Sequence, residues 1–155
     1  KKEYFEGRTP CPCSFCNMNI KWEYLLKFAE ENKIDFISTG HYVRTYIDDG
    51  VAMIRKGVDP RKDQSYFLWK LPSSFIEKTL TPLGNYTKDE VRAMAKKVGF
   101  EYLLSKSESM GICFLQGKDY RELIGTNAGF KTGEVLDIEG NFIGQHDSVH
   151  NYTMG

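Results

Sequence analysis

The sequence predicts an α/β domain followed by a mostly β-stranded module. Residues 16–33 place apolar side chains on one face of a helix, and a short β-branched stretch, residues 34–40, follows at once. This order is typical of a helix and a buried strand in an α/β unit. From about Phe130 the polarity alternates and turns at Glu139–Gly140, which indicates a β-hairpin. We therefore expect the architecture to change between residues 117 and 130.

Local signals predict the remaining elements. A strand pair over residues 42–57 is expected to turn at Asp49–Gly50, because this dipeptide favours tight hairpin turns. The clearest helix follows Thr87, which forms a Thr-x-x-Glu capping box with Glu90, and it stops at Gly99. Its predicted apolar stripe consists of Val91, Met94, Ala95 and Val98. Helices are predicted over residues 62–71, 73–80, 87–100 and 117–125.

Composition narrows the functional classes. The chain has 155 residues and a net charge of zero, which argues against a protein that holds nucleic acid by bulk electrostatics alone. No apolar run approaches the roughly 20 residues needed to span a bilayer, and the first residues, KKEYFEG, lack the apolar region of a signal peptide. We therefore expect a cytoplasmic protein without a membrane partner, whose cysteines are thiols, metal ligands or redox groups rather than structural bridges.

Three cysteines lie within six residues, Cys11, Cys13 and Cys16, directly before a helix. A helix N-terminus favours the reactive thiolate form of a nearby thiol. With Cys113, these cysteines have the ligand types of a four-thiolate zinc site or of an iron–sulfur cluster. Cys16 and Cys113 are alternatively a redox pair that closes during turnover, and buried inert thiols are the structural alternative.

Two further segments are candidates for ligand contact. His41 follows the predicted strand at its carboxyl end, the edge where open α/β sheets bind ligands. Lys62–Gln64 combine cationic and polar side chains before Tyr66 and Phe67, types that contact phosphates, base edges and unpaired bases in RNA. A charged loop entering a helix with core aromatics explains the same residues, and their spacing does not choose between the two interpretations.

Six ordered blocks of the sequence resemble the tRNA-specific 2-thiouridylases. These enzymes use ATP to replace O2 of the wobble uridine of certain tRNAs with sulfur. The blocks cover essentially the whole chain: GRTPCPCSFCN, STGHY, RKGVDPRKDQSYFLWKL, TPLGNYTKDEVRAMAKKVG, ESMGICF and GEVLDIEGNFIGQHDSVHNYTMG.

The resemblance implies a specific domain organisation. Residues 1–120 would be the C-terminal part of an ATP-pyrophosphatase domain, a Rossmann-like fold of the adenine nucleotide alpha hydrolase type. Residues 121–155 would begin a small, mostly β central domain. The family's phosphate-binding loop, Ser-Gly-Gly-Val-Asp-Ser, does not occur in this sequence, so we expect an internal fragment that is inactive by itself.

The resemblance also implies two catalytic cysteines. Cys113 matches the cysteine that carries the incoming sulfur as a persulfide, and Cys16 matches the nucleophile that resolves the reaction. ATP would adenylate O2 of a flipped-out uridine, the persulfide would supply sulfur to C2, and Cys16 would release it. A Cys16–Cys113 disulfide would remain and would have to be reduced.

Binding residues and partners follow from the same matches. Gly40 matches a glycine of the ATP site, and His41 matches a neighbouring tRNA contact. The implied cofactor is ATP with Mg²⁺, and the implied partners are tRNA and a sulfur-relay donor protein or a cysteine desulfurase. The remaining tRNA or base contacts implied by the resemblance are Cys11, Pro12, Cys13, Lys62, Asp63 and Gln64.

Cys13 departs from the family pattern. Many members have Asn-Pro-Asp where this chain has Cys11-Pro12-Cys13, and an acid/base role is often assigned to that aspartate. Some members are thought to hold an iron–sulfur cluster in this region, so Cys13, Cys16 and Cys113 are alternative cluster ligands. In that alternative the chain is an iron–sulfur or zinc module that docks RNA.

Overall fold

The computed structural model describes residues 1–105, 113–115, 118–125 and 131–152. The helices are α1 (Lys2–Phe5), α2 (Pro12–Cys16), α3 (Glu23–Glu31), α4 (Ser73–Glu77), α5 (Lys88–Lys97) and α6 (Tyr120–Ile124). The strands are β1 (Ile37–Ser38), β2 (Val43–Asp48), β3 (Val51–Lys56), β4 (Thr79–Leu80), β5 (Gly133–Leu136) and β6 (Phe142–His146). The chain forms two compact units, Cys11–Glu108 and a second unit built from Lys1–Pro10 with Ser109–Gly155.

The first predicted helix is confirmed, and it begins earlier than expected. α2 starts with Pro12 in its first turn, where the missing N–H of proline costs nothing. A π-helical segment, Asn17–Trp22, joins α2 to α3, and the residues at both junctions keep helical backbone angles. The helix is therefore continuous from Pro12 to Glu31, with a widened turn in its middle, a feature found often at functional sites.

The strands of the larger unit form two small sheets. β1 pairs with β4 in parallel, and β2 pairs with β3 in an antiparallel hairpin that turns at Asp49–Gly50 as predicted. Both turn residues have positive φ, 46° and 76°, as a tight hairpin turn requires. The strand predicted over residues 34–40 is present but short, because only Ile37 and Ser38 pair with β4. The mixture of helices and strands agrees with the predicted α/β class.

The helix predicted over residues 62–71 is wrong. Only a single 3₁₀ turn, Ser65–Phe67, forms there. The Asp63 carboxylate accepts hydrogen bonds from the N–H groups of Gly57 and Ser65, and the Gln64 side chain accepts one from the N–H of Tyr42. Hydrogen bonds from backbone groups to the Asp63 and Gln64 side chains compete with helix formation and hold the chain in a non-helical path.

Trp22 is the centre of the core of the larger unit. Its side chain is 0% exposed, and its indole Nε1–H donates to Thr79 Oγ1 at 2.8 Å. The Thr79 hydroxyl in turn donates to the carbonyl of Phe75 at 2.6 Å. The other buried residues of this core are Ala29, Ile37, Val43, Ala52, Leu68, Leu71 and Ile76.

The capping box of α5 is confirmed. Thr87 Oγ1 accepts from the Glu90 N–H at 3.2 Å, and the Glu90 carboxylate accepts from the Thr87 N–H at 2.7 Å. The apolar stripe predicted on this helix does not enter a core, since no residue of α5 is buried and Val98 is 66% exposed.

The smaller unit is held by aromatic contacts. Tyr4 of α1 stacks on Tyr120 of α6 with ring centres 4.9 Å apart, and the Tyr120 hydroxyl donates to the carbonyl of His150 at 3.2 Å. The predicted hairpin is confirmed as β5 and β6, with Gly140 at a φ of 86° in its turn. Among the described residues of both units, no helix combines the length and apolar character that crossing a membrane requires.

Candidate functional site

The cysteine segment lies at the start of the long helix. Cys11, Cys13 and Cys16 are half-buried, and Cys113 is exposed in a 3₁₀ turn of the smaller unit. None of the four is in a disulfide bond, so the expected Cys16–Cys113 disulfide is not a feature of this structure. Cys16 stands at the junction between α2 and the π-helical segment. Its thiol thus sits where the helix changes its winding.

Asn17 anchors this junction. Its side chain is 2% exposed, and Nδ2 donates to the carbonyl of Phe67 at 3.0 Å. Its Oδ1 is buried without a hydrogen-bond partner in the described part of the chain. Burying an amide oxygen without a hydrogen-bond donor is costly, so a ligand or a water that donates to Asn17 Oδ1 would stabilise this position. Asn17 was not among the predicted site residues, although its position next to Cys16, as a polar residue on the predicted apolar face of the helix, could have indicated it.

The loop after β1 brings His41 against the helix. The imidazole lies 5.3 Å from the Trp22 ring, centre to centre. Burial, aided by the nearby charge of Lys21, lowers the pKa of His41 to about 4, so the ring is neutral near pH 7. Its Nδ1 has no hydrogen-bond partner among the described residues. His41 therefore offers an uncharged imidazole to a ligand.

The loop of residues 57–64 is built by its own side chains. The two Asp63 oxygens accept from Gly57 N–H at 3.0 Å and from the Ser65 hydroxyl at 2.6 Å. Burial alone would raise the pKa of Asp63, but these hydrogen bonds outweigh it and hold the pKa below its ordinary value. Gln64 pairs with Tyr42 twice, through Oε1 to the Tyr42 N–H and through its own N–H to the Tyr42 carbonyl.

Asp59 ties the same loop to α5. It is 1% exposed, and its carboxylate accepts from the N–H groups of Lys88 and Arg61, both at 3.0 Å. The bond from Lys88, the first residue of the helix, contributes most to a lowered pKa of Asp59. Asp59 was not among the predicted site residues, and its role is to hold the loop.

Gly40 has open space beside it. A Cβ built on Gly40 would meet only Leu83 Cδ1, at an ordinary 3.7 Å, so the described packing does not itself require a glycine. The hydroxyl of the preceding residue, Thr39, is buried without a partner in the described chain. An open glycine next to an orphaned hydroxyl, at the carboxyl end of a parallel strand, suits a bound ligand.

The metal alternative gains no support. Within the described residues, no three His, Cys, Asp or Glu side chains lie together as a group that could hold a metal ion. The predicted alternative ligands Cys13 and Cys16 of the larger unit are therefore not part of such a group among the described residues.

Three predicted segments meet in the larger unit. Asn17 connects the cysteine segment to the turn at Phe67, Trp22 connects it to His41, and Tyr42 connects the His41 loop to Gln64. Pro12 begins α2, and Lys62 lies half-buried in the loop that Asp59 and Asp63 hold. Cys113 belongs to the smaller unit.

Comparison with known proteins finds relatives that align with almost the whole chain. Three of them are named tRNA-specific 2-thiouridylase: those of Caldanaerobacter subterraneus subsp. tengcongensis, Cytophaga hutchinsonii and Geotalea uraniireducens. They are 46%, 42% and 47% identical to this chain over 157, 159 and 156 residues, respectively. Each alignment covers 99% of this chain but only 43%, 43% and 41% of the relative. The chain thus spans less than half the length of these relatives.

A family model points the same way. The model described as the tRNA methyl transferase HUP domain matches residues 1–117. Because that match covers most of the chain and the relatives named above share more than 40% of its residues, this chain belongs to the tRNA-specific 2-thiouridylase family.

Proposed function

We propose that this chain forms part of an enzyme that uses ATP to replace O2 of the wobble uridine of tRNA with sulfur. The observation that carries the proposal is the meeting of three segments in one unit. The thiol of Cys16, the neutral imidazole of His41 and the loop containing Lys62–Gln64 are linked through Asn17, Trp22 and Tyr42. In the proposed enzyme, residues 1–120 supply the later part of the nucleotide-binding domain, and residues 121–155 begin a β-rich domain.

The proposed chemistry uses the two thiols in turn. The outer sulfur of a persulfide on Cys113 bonds to C2 of the uridine, and the activated oxygen leaves. The Cys16 thiolate then attacks Cys113 Sγ, which breaks the persulfide bond and leaves sulfur on C2. The product is a thiouridine and a Cys16–Cys113 disulfide, which an external thiol reductant reopens. Thiolates suit both steps because they are strong nucleophiles near neutral pH.

The nucleotide has a proposed place beside Gly40. ATP with Mg²⁺, when bound, supplies the adenylyl group that turns O2 into a leaving group. Gly40 leaves room there, and the orphaned Thr39 hydroxyl offers one hydrogen bond. The neutral His41 ring neither repels nor attracts phosphate by charge, so its part is to hydrogen-bond or stack with the RNA.

The proposed RNA contacts rest on the resemblance to the family and on the location of these residues near Cys16 or in the loop of residues 57–64. Cys11, Pro12 and Cys13 precede Cys16 in the same helical turn and its entry, and we propose that they border the target base. Cys13 supplies a thiol where many relatives have a carboxylate, so we propose that an acid/base contribution at this position is weaker here. Lys62 is the cation of its tripeptide, whereas Asp63 and Gln64 have bonds within the protein that hold it in place.

The test is a thiolation assay of the full-length protein. Unmodified tRNA transcript, ATP with Mg²⁺ and a persulfide donor are combined, and thiolated tRNA is separated on a mercury-containing gel. Cys113→Ser is expected to abolish product and to prevent labelling of the enzyme by radioactive sulfur. Ser74→Ala, an exposed position on α4, is the matched control. Full activity of Cys113→Ser would overturn the persulfide assignment.

A further inference from the structure

A groove of about 550 Å³ opens in the larger unit, between the β2–β3 hairpin and the ends of β1 and β4. Its lining combines two arginines and several hydroxyl and amide groups with the apolar residues Leu80 and Pro82, and within the described chain it contains no carboxylate. The lining residues that bear on the inference are Ser38, Arg44, Tyr46, Arg55, Thr81 and Asn85. None of them belongs to the binding residues proposed above.

The two arginines occupy a costly arrangement. Arg44 of β2 and Arg55 of β3 are direct partners across the antiparallel ladder, and like charges placed opposite each other destabilise a hairpin. No carboxylate of the described residues forms an ion pair with either of them. An anion bound between the two guanidinium groups would remove this repulsion.

Both guanidinium groups are held in place by the hairpin. Arg44 Nε donates to the carbonyl of Lys56 at 2.9 Å, which leaves its terminal nitrogens for a second acceptor. The Arg55 guanidinium lies over the Tyr46 ring at 4.1 Å from its centre. Held arginines lose less freedom on binding and present the planar donor pairs that match phosphate oxygens.

Hydroxyl and amide groups add further hydrogen-bonding positions to the lining. Ser38 ends β1, and Thr81 follows β4. The groove therefore lies at the carboxyl edge of the parallel pair, the edge where ligands bind in such sheets. Ser38 is also only two residues before Gly40, so the groove adjoins the proposed nucleotide and base site along the chain.

We infer that this groove binds a phosphodiester group of the RNA substrate, with Arg44 and Arg55 as its two cationic contacts. The inference rests on the proposed function, because it takes tRNA as the substrate. RNA is favoured over a free nucleotide, because the groove pairs two arginines with a tyrosine. This combination suits a backbone phosphate next to an exposed base.

The experiment measures binding of a fluorescent, unmodified tRNA transcript to the full-length protein at several salt concentrations. The double substitution Arg44→Ala/Arg55→Ala is expected to weaken binding by about 10-fold to 100-fold. It should also reduce the slope of log affinity against log salt by about 1 to 2, as expected for lost phosphate contacts. Lys96→Ala/Lys97→Ala, on exposed α5, removes the same charge elsewhere and should change affinity less than about twofold.

A charge-conserving variant and measurements of ATP affinity and melting temperature separate phosphate binding from other effects of the substitutions. Arg44→Lys/Arg55→Lys keeps both charges but loses the planar donor pairs, so it should retain the wild-type salt slope with intermediate affinity. Affinity for ATP with Mg²⁺ should match the wild type in all variants. The melting temperature of the alanine double variant should not fall below that of the wild type, because the repulsion between the two arginines is removed. Equal tRNA binding by Arg44→Ala/Arg55→Ala and by the control Lys96→Ala/Lys97→Ala would overturn the inference. A variant that loses affinity for ATP but not for tRNA would overturn it as well. A wild-type protein that binds no tRNA would overturn the proposed function as well.

Discussion

The cysteine segment, residues 11–17, and the loop of residues 57–64 carry most of the predicted site residues, yet the fold holds them in different ways. The loop is built by its motif side chains, because Asp59, Asp63 and Gln64 all accept hydrogen bonds from backbone N–H groups. The cysteine segment is anchored by its residues other than cysteine. Ser14 Oγ donates to the carbonyl of Cys11, and Asn17 Nδ2 donates to the carbonyl of Phe67. Folding and proposed chemistry are therefore separable in the first segment and joined in the second.

The largest effect is expected from Cys16→Ser. Thiolation by the full-length enzyme should fall by a factor on the order of 10³ or more, because a hydroxyl replaces the proposed nucleophile. The free energy of unfolding, measured with urea, should change by less than about 0.5 kcal/mol, as for substitutions without a named structural cost. A large loss of stability would show that the thiol also holds the fold, and the contrast between the two segments would fail.

Gly57→Ala, in the loop, should lower the free energy of unfolding, which Cys16→Ser leaves nearly unchanged. A Cβ at this position would lie 2.6 Å from the carbonyl oxygen of Tyr42, so the backbone has to move. We expect a loss of about 3 kcal/mol, typical of overpacking against groups that cannot yield, in urea unfolding followed by circular dichroism. The matched control is Gly144→Ala, where a Cβ meets nothing within 4 Å. Equal stability of the two variants would contradict the tight approach of the loop to Tyr42.

His41 lies between the two segments and sharpens the comparison through pH. Its pKa is lowered to about 4, mainly by burial, whereas an unfolded histidine titrates near 6.5. The neutral native ring thus contributes stability that is complete above about pH 6.5 and is lost as the pH falls toward 4. We expect the wild type to lose about 2 kcal/mol from this group between pH 7 and 5.

Urea unfolding of wild type and His41→Asn at pH 7 and pH 5 measures this contribution, and the variant is also measured at pH 8. The variant should lack that part of the pH dependence, and at pH 7 and 8 it should show one constant stability, which is the internal control. An unchanged pH dependence in His41→Asn would place the effect in another group.

The smallest effect is expected from Asp63→Asn. The native carboxylate has a lowered pKa, since hydrogen bonds from Ser65 and Gly57 outweigh its burial. Its stabilisation is therefore present above the unfolded value of about 4 and disappears as the pH falls through the lower native value. We expect the amide to cost about 1 kcal/mol at pH 7 and progressively less in acid.

Thermal unfolding of wild type and Asp63→Asn at pH 7 and pH 3 checks this difference. Asn141→Ala in the other unit is a comparison for the loss of a hydrogen bond that lies outside the loop. A gap between wild type and Asp63→Asn that widens in acid would refute the assigned role of the carboxylate.

Local signals predicted the elements whose causes are local. The capping box of Thr87 and Glu90, the Asp49–Gly50 turn and the helix after Cys16 each formed as expected. The apolar face predicted for that helix is largely exposed, as Tyr24 and Phe28 show. The helix over residues 62–71 failed because the Asp63 side chain accepts from the nearby Gly57 N–H and the Gln64 side chain accepts from the N–H of Tyr42, which is 22 positions away. The stripe of α5 had the correct period but not the expected burial, since period alone does not say what packs against a helix.

The sequence by itself determined the α/β character, the family and the identity of the candidate residues, because motifs and periodicity are written in consecutive positions. Only the tertiary structure decided which of them meet. The bond from Asn17 to Phe67 joins residues 50 positions apart, and the neutral state of His41 comes from burial beside Trp22. Such contacts arise from packing and long-range hydrogen bonds, which no local pattern encodes.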